Sequence, residues 1–372
     1  MPALELIKEA DRQLTICNAC RYCEGYCAVW PAMELRRTFT PQDILYLSNL
    51  CFDCRACYYA CQFAPPHEYG VNIPNIFAAL RTDTYQDYSW PRLFGRMVKN
   101  NARAVSLITL ISVVVVITLT WLARGPATLF GVHVSEGAFY RVVPEIAMIV
   151  PASLICLFAL GVFAVGAVNF WRDTRGSPSD MVDAAAFWRA IKDALGLAYL
   201  KGDGSGCNYP SEQFSHVRRV FHHFTFYGFM LDLASTTIAA IYDHVFGWVA
   251  PYALTAIPVV LGTLGGIGLV IGTGGLLYLK WKSDRVPAQT TMMQMDVSFI
   301  LLLFLTALTG LLLLVVRETA AMGTLLTVHL GVVAALFIMI PYGKFAHVVY
   351  RYAALVRNAI EQKRESEVAH QH

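Results

Sequence analysis

Cys17-Asn-Ala-Cys20-Arg-Tyr-Cys23-Glu-Gly-Tyr-Cys27 and Cys51-Phe-Asp-Cys54-Arg-Ala-Cys57-Tyr-Tyr-Ala-Cys61 are one spacing written twice. A run of three cysteines at x₂ intervals, with a fourth after x₃, offers three thiolates to three corners of an Fe₄S₄ cube. In two-cluster proteins of this spacing, the fourth cysteine of each run ligates the other cluster. By that rule one [4Fe–4S] cluster takes Cys17, Cys20, Cys23 and Cys61, and the second takes Cys51, Cys54, Cys57 and Cys27. The proline usual after the fourth cysteine is absent; Pro31 and Pro65 stand four residues on. Two structural zincs would also use eight thiolates, but zinc sites favour separated CxxC pairs over a run of three. Cys156 and Cys207 stand apart in the sequence and read as inert small residues.

Outward from these runs, the composition is that of a membrane protein. Of 372 residues, 56% are hydrophobic and 15% charged, and mean hydropathy is +0.49. Too little polar surface remains to cover a soluble core of that size. A net charge of +3 gives no reason to expect a nucleic-acid partner. Six apolar runs reach the ~20 residues a helix needs to cross a bilayer: 104–122, 145–171, 220–242, 255–279, 296–316 and 322–350. The expected fold is mainly α, a ferredoxin-like two-cluster head (1–90) followed by a six-helix transmembrane domain (91–372). A polar insert at about 172–219 contains an amphipathic stretch, Met181–Leu200, and a glycine-rich loop.

Orientation follows from the basic residues. Segments on the side of the N-terminus hold 11, 7, 3 and 5 Lys or Arg, which is 26 of 29; the opposite loops hold only Arg124, Arg141 and Arg317. Both termini are thus expected in the cytoplasm of a bacterium, with the chain in the inner membrane. The N-terminus lacks the apolar core of a secretory signal, and clustered cysteines suit a reducing compartment.

Histidines in spanning helices point to function. His329 and His347 are 18 residues apart, five turns on one continuous helix, or about 27 Å along its axis. His222 and His223 open the third run and His244 ends it, 22 residues from His222. One or two haems of b type would suit this layout. An inner haem would lie between His222 or His223 and His347, and an outer one between His244 and His329. Arg218, Arg219, Lys344 and Arg351 are candidates to neutralise haem propionates or a quinone headgroup, and Asp232 to relay a proton. The glycines of the Gly262–Gly275 segment fit close helix packing. No flavin or nicotinamide motif is visible, so hydride chemistry belongs to a partner. A carboxylate transporter would need discontinuous helices around a mid-membrane anion site, and the sequence shows neither a repeat nor buried basic residues there.

Beyond the cysteine runs, three stretches carry a family likeness: Phe63-Ala-Pro-Pro-His-Glu-Tyr-Gly-Val-Asn-Ile-Pro74, His222-His223-Phe-Thr-Phe-Tyr-Gly228 and Pro341-Tyr-Gly-Lys-Phe-Ala-His347. Over essentially its whole length the chain resembles tricarballylate utilisation protein B, the CitB-like family. The resemblance implies electron transfer from a cytoplasmic FAD-dependent tricarballylate dehydrogenase, through iron–sulfur clusters and haem, to membrane quinone. The same carriers could serve another flavoprotein dehydrogenase or a heterodisulfide-type reductase. The His329/His347 arrangement also resembles one helix of the haem-bearing subunit of respiratory nitrate reductase.

Overall fold

The computed structural model describes residues 4–27, 29–177, 179–180, 183–202 and 204–369. Five helices build the head: α1 (Leu4–Cys20), α2 (Val29–Glu34), α3 (Pro41–Leu50), α4 (Ala56–Tyr59) and α5 (Ile73–Asp87). Their starts follow from local chemistry. Thr40 and Asp43 form a capping box before Pro41 opens α3, and Asn72 accepts from the Asn75 amide as α5 begins. The apolar faces of α1, α3 and α5 meet at Leu14, Ile44, Leu47, Leu50, Phe77 and Leu80, none more than 1% exposed.

After α6 (Arg96–Lys99) come α7 (Asn101–Arg124), α8 (Pro126–Leu129), α9 (Ala138–Val142) and α10 (Glu145–Asp173). The insert supplies α11 (Ala184–Leu195) and an antiparallel pair, β1 (Cys207–Asn208) and β2 (Phe214–Ser215). Met181, where the amphipathic stretch was expected to open, lies outside the described residues. Then follow α12 (Val217–Phe246), α13 (Ile257–Lys282), α14 (Thr290–Val316), α15 (Met322–Met339) and α16 (His347–Ala369). No described residue of the head is in a strand. The βαββαβ pattern of a ferredoxin-like fold is therefore not formed, because capped helices, not alternating strands, connect the cysteine loops.

Among the described residues six helices are long and apolar enough to cross a membrane: α7, α10, α12, α13, α14, and α15 with its following turn to Tyr342. Leu107, Leu110, Ile111 and Val114 on α7, with Leu154, Leu157 and Leu160 on α10, are 52% to 66% exposed. Such apolar faces are stable against lipid tails and not against water. The chain is a multi-pass membrane protein.

The last run departs from expectation. It is not one helix to Tyr350: the chain leaves α15 through 3₁₀ turns at Ile340–Tyr342 and Lys344–Ala346 before α16 starts at His347. Pro341 has no amide proton and its ring crowds the carbonyl four residues back, and Gly343 is extended at φ −141°, ψ −161°. The five-turn alignment of His329 with His347 therefore does not hold.

Glycines zip α12 to α13. A Cβ at Gly228 would meet the Leu269 amide at 2.8 Å, and one at Gly272 would meet the Thr225 amide at 2.5 Å. Gly272→Val is expected to cost about 1–3 kcal/mol or more, read as a lower thermal midpoint in detergent. An unchanged midpoint would contradict this packing.

α16 returns along the head, burying Ala354, Leu355, Ala359 and Ile360 in the same core as α3 and α5. The N-terminal head and the C-terminal helix thus lie on one face of the bundle. Arg36 donates to Asp43 (2.7 Å) and to Glu361 (2.5 Å), while Arg357 donates to Glu361 (3.1 Å). Burial opposes the Asp43 charge, but the Arg36 guanidinium and the Thr40 hydroxyl prevail and hold its carboxyl below the usual range. A depressed carboxylate contributes stability above its unfolded pKa, and that stability is lost as pH falls through the folded value. Acidification below pH ~4 is expected to expose the α3–α16 contact to protease, and Arg36→Ala to do so at neutral pH with a loss of about 1.5–3 kcal/mol. A cleavage pattern independent of pH and of Arg36 would contradict it.

Candidate functional site

Two helix ends and two tight loops gather the sulfurs. Cys17 and Cys20 share the last turn of α1, and Arg21 at φ 55° turns the chain so that Cys23 and Cys27 follow on a 3₁₀ turn. Cys51 ends α3, and Asp53 (φ 55°) and Arg55 (φ 66°) curl the next loop into α4, which carries Cys57. Left-handed conformations at non-glycine residues cost about 1–3 kcal/mol each and persist where the surroundings impose them. All eight cysteines line one cavity of ≈ 960 Å³ of non-atom space, open solvent at its mouth included.

Within the cavity the sulfurs group across the two runs. Burial pushes the Cys17 thiol up to about 12, helped by Cys23, Cys61 and Cys20 before Cys27. Burial likewise pushes Cys27 up to about 12, and its strongest sulfur neighbour is Cys51. Cys57 and Cys54 rise well above the ordinary thiol value, first through burial and then through Cys27. Cys61 thus lies near sulfurs of the first run, and Cys27 near those of the second. Neutral donors already point at sulfur: Trp30 Nε1 to Cys23 at 3.2 Å, the Val29 amide to Cys27 at 3.3 Å, and the Asp53 amide to Cys51 at 3.4 Å.

Four guanidinium groups surround the second loop. Arg81 donates to the carbonyls of Ser48 (2.9 Å) and Cys51 (3.3 Å), and Arg351 to that of Cys51 (2.9 Å). Arg218 donates to the Asp53 (2.5 Å) and Phe52 (3.2 Å) carbonyls, and Arg55 to that of Asp284 (3.0 Å). Arg55 and Arg81 are each 1% exposed, and the Nε atoms of Arg55, Arg81 and Arg351 have no partner. Among the described residues none of the four is ion-paired to a carboxylate. Four buried or half-buried guanidinium groups around one loop, with Asp53 as the carboxylate acting on Arg81 and Arg218, leave an excess of positive charge that is unfavourable away from water. An anionic iron–sulfur cluster on four thiolates supplies the counter-charge, so the site fits the group.

On the membrane side of this shell, the His222 and His347 rings lie 6.5 Å apart, centre to centre. His347 Nδ1 donates to the Lys344 carbonyl at 2.6 Å, because a carbonyl can only accept, and this leaves Nε2 as the free lone pair. His222 Nδ1 is buried without a partner. Two metal–imidazole bonds of about 2 Å, with each ring centre about 1 Å behind its nitrogen, span about 6 Å. The spacing would let these two histidines hold one metal ion or metal-bearing group between them. Phe345 sits below among Phe163, Phe229 and Phe299, centroids about 6 Å apart.

The other expected residues go elsewhere. His223 turns toward the end of α11, near the Leu195 and Gly196 carbonyls, with its Nε2 buried and unpartnered; Arg219 donates to Gly196 (2.8 Å) and Tyr227 to Leu195 (3.0 Å). Arg219 and Tyr227, one turn either side of His223 on α12, cap α11, whose exposed carbonyls attract donors. The outer pair is not formed. His329 meets Thr309 Oγ1 at 2.9 Å on α14, whereas half-exposed His244 lies 3.6 Å from Glu145 on α10. Lys344 does not reach for an anionic ligand; with Lys280 it pairs with Asp296, at 2.6 Å. Asp232 lies half-buried in the α12–α13 seam facing Gly265. Cys156 sits half-buried in α10.

Sequence reading missed Arg55, Arg81 and the location of Cys207. Cys207 is fully buried beside Cys54: β1 donates its Asn208 amide to the Cys54 carbonyl (3.1 Å), and the Cys207 thiol donates to the Leu200 carbonyl (3.5 Å). An arginine within the apolar helix Ile76-Phe-Ala-Ala-Leu80-Arg81 was the one available signal.

The family model "Citrate utilization protein B Fer4-like domain" matches residues 10–87, and "Citrate utilization protein B" matches 96–368. No solved structure matches. The Escherichia coli "Citrate utilization protein B" is 44% identical over 361 residues, 96% of this chain and 93% of that one. With family models covering head and membrane domain, and a relative of that identity along nearly all of both chains, the chain belongs to the citrate utilization protein B family.

Proposed function

We propose that the protein carries electrons from a reduced flavoprotein in the cytoplasm to quinone in the bacterial inner membrane, in the service of citrate or tricarballylate utilisation. The observation that carries this reading is the ordered stack of sulfur cavity, guanidinium shell and histidine pair, leading from the head into the bundle. When bound, the clusters and haem supply one-electron carriers between a two-electron flavin donor and a two-electron quinone acceptor. Cys17, Cys20, Cys23 and Cys61 hold the cluster nearer solvent, and Cys27, Cys51, Cys54 and Cys57 the deeper one. Trp30 and the loop amides direct N–H groups at the sulfurs and favour extra negative charge there. His222 and His347 hold haem b from two different helices, so the membrane domain fixes its distance from the head. Asp232 is the carboxyl available within the bundle to pass a proton toward reduced quinone. The donor is an FAD-dependent dehydrogenase acting on tricarballylate, as the family likeness implies. Mixing anaerobically dithionite-reduced protein with a quinone analogue is expected to reoxidise a haem b spectrum and the cluster signals together. A spectrum without haem, or one indifferent to quinone, would sink the proposal.

A further inference from the structure

We propose that Arg81, Arg218 and Arg351 raise the reduction potential of the Cys27/Cys51/Cys54/Cys57 cluster above that of its neighbour, making the pair a one-way step toward the membrane. This rests on the function proposed above and adds its direction. Arg81 and Arg351 both donate to the Cys51 carbonyl, and Arg218 donates to the carbonyls of Phe52 and Asp53. The three charges therefore converge on three consecutive residues of one ligand loop. Arg351 also lies 4.4 Å over the Phe52 ring, and Arg218 and Arg55 lie 4.9 and 4.6 Å over that of Tyr209. None is ion-paired among the described residues; the Asp53 carboxylate of the same loop offsets part of the charge of Arg81 and Arg218, and three guanidinium groups against that one carboxylate leave an excess of positive charge.

The other cluster has no such shell. The donors aimed at Cys20 and Cys23 are the neutral Gln62 amide and Trp30 indole, and Arg21 beside them is exposed and turned to the Asn18 carbonyl. Reduction adds one negative charge to a cluster. Buried Arg81 and half-buried Arg218 and Arg351 favour that charge more strongly than an exposed cation, which water screens. Burial by itself works the other way, since a low dielectric disfavours added charge. Three guanidinium groups against one added electron reverse that balance.

Sequence spacing gives the shell its second role. Arg218 stands four residues before His222 on α12, and Arg351 four after His347 on α16, so each arginine shares a helix face with a histidine. Each of the two helices thus holds the deeper cluster's loop with its arginine and offers its histidine one turn away. One electron passes per step, from the flavin donor to the quinone acceptor, and no bond forms or breaks.

The test is potentiometric EPR on the full-length protein, with the two signals assigned through Cys20→Ser and Cys57→Ser. In the unaltered protein the signal altered by Cys57→Ser is expected at the higher midpoint. Arg351→Gln and, separately, Arg218→Gln should lower that midpoint by the equivalent of about tenfold in the equilibrium between clusters, 59 mV for one electron. The other midpoint should stay in place, and Arg351→Lys should restore most of the shift. Equal or inverted midpoints in the unaltered protein, or a shift of both signals together, would overturn the inference and leave the functional reading standing. Absence of both signals from the unaltered protein would overturn both.

Discussion

Replacing His347 by alanine is expected to strip haem from the purified protein while both iron–sulfur signals persist. The residue opens α16, directly after the turns that Pro341 and Gly343 impose, and the Lys344 carbonyl fixes its ring by a 2.6 Å bond. Its free nitrogen has one histidine ring opposite, that of His222. On the proposed function either histidine would bind the iron directly, so the effect should exceed the roughly 10–100-fold that changes behind the ligands cost metal sites. His222→Ala should match it. His223→Ala should keep haem, because the ring that faces His347 is that of His222. An absorption spectrum of each membrane preparation decides the matter. Haem retained without His347 and lost without His223 would contradict the assignment.

Cys61→Ser is expected to damage the cluster of the first run, and Cys27→Ser that of the second. This crossing is opposite to what linear proximity alone would give. It follows from the sulfur neighbours: Cys61 bears on Cys17, while Cys27 bears on Cys54 and Cys57. EPR of the reduced variants, compared with Cys20→Ser and Cys57→Ser, should show Cys61→Ser behaving like Cys20→Ser. If it behaved like Cys57→Ser, each run would hold its own cluster. The high thiol values at Cys17 and Cys27 add a pH dependence. Metal must displace protons from these sulfurs, so reconstitution of apoprotein with iron and sulfide should become more complete as pH rises.

The cysteine loops and the six apolar runs were legible in the sequence because each is a local pattern. Spacing alone sets three thiolates in one loop, and length with hydropathy sets a span. The facing of His347 by a histidine at the start of α12 was expected from the basic residues beside them, but the sequence left His222 and His223 undivided, and the fold turns His222 to His347. What misled was periodicity carried through a proline. Counting five turns from His329 to His347 assumed one helix, and Pro341 breaks it. His223 and His244 looked equivalent to true candidates because their neighbours, the end of α11 and Glu145, are brought by tertiary folding from distant sequence. Arg81, Arg218 and Arg351 come from three separate helices, so only the folded chain brings them to one loop.

The most direct measurement is iron, acid-labile sulfide and zinc on anaerobically purified full-length protein, with EPR of the reduced sample. Two Fe₄S₄ cubes require about eight iron and eight sulfide per chain, beyond haem iron, and two interacting signals. About two zinc per chain without labile sulfide, or thiols oxidised to disulfides, would contradict an electron-carrying head.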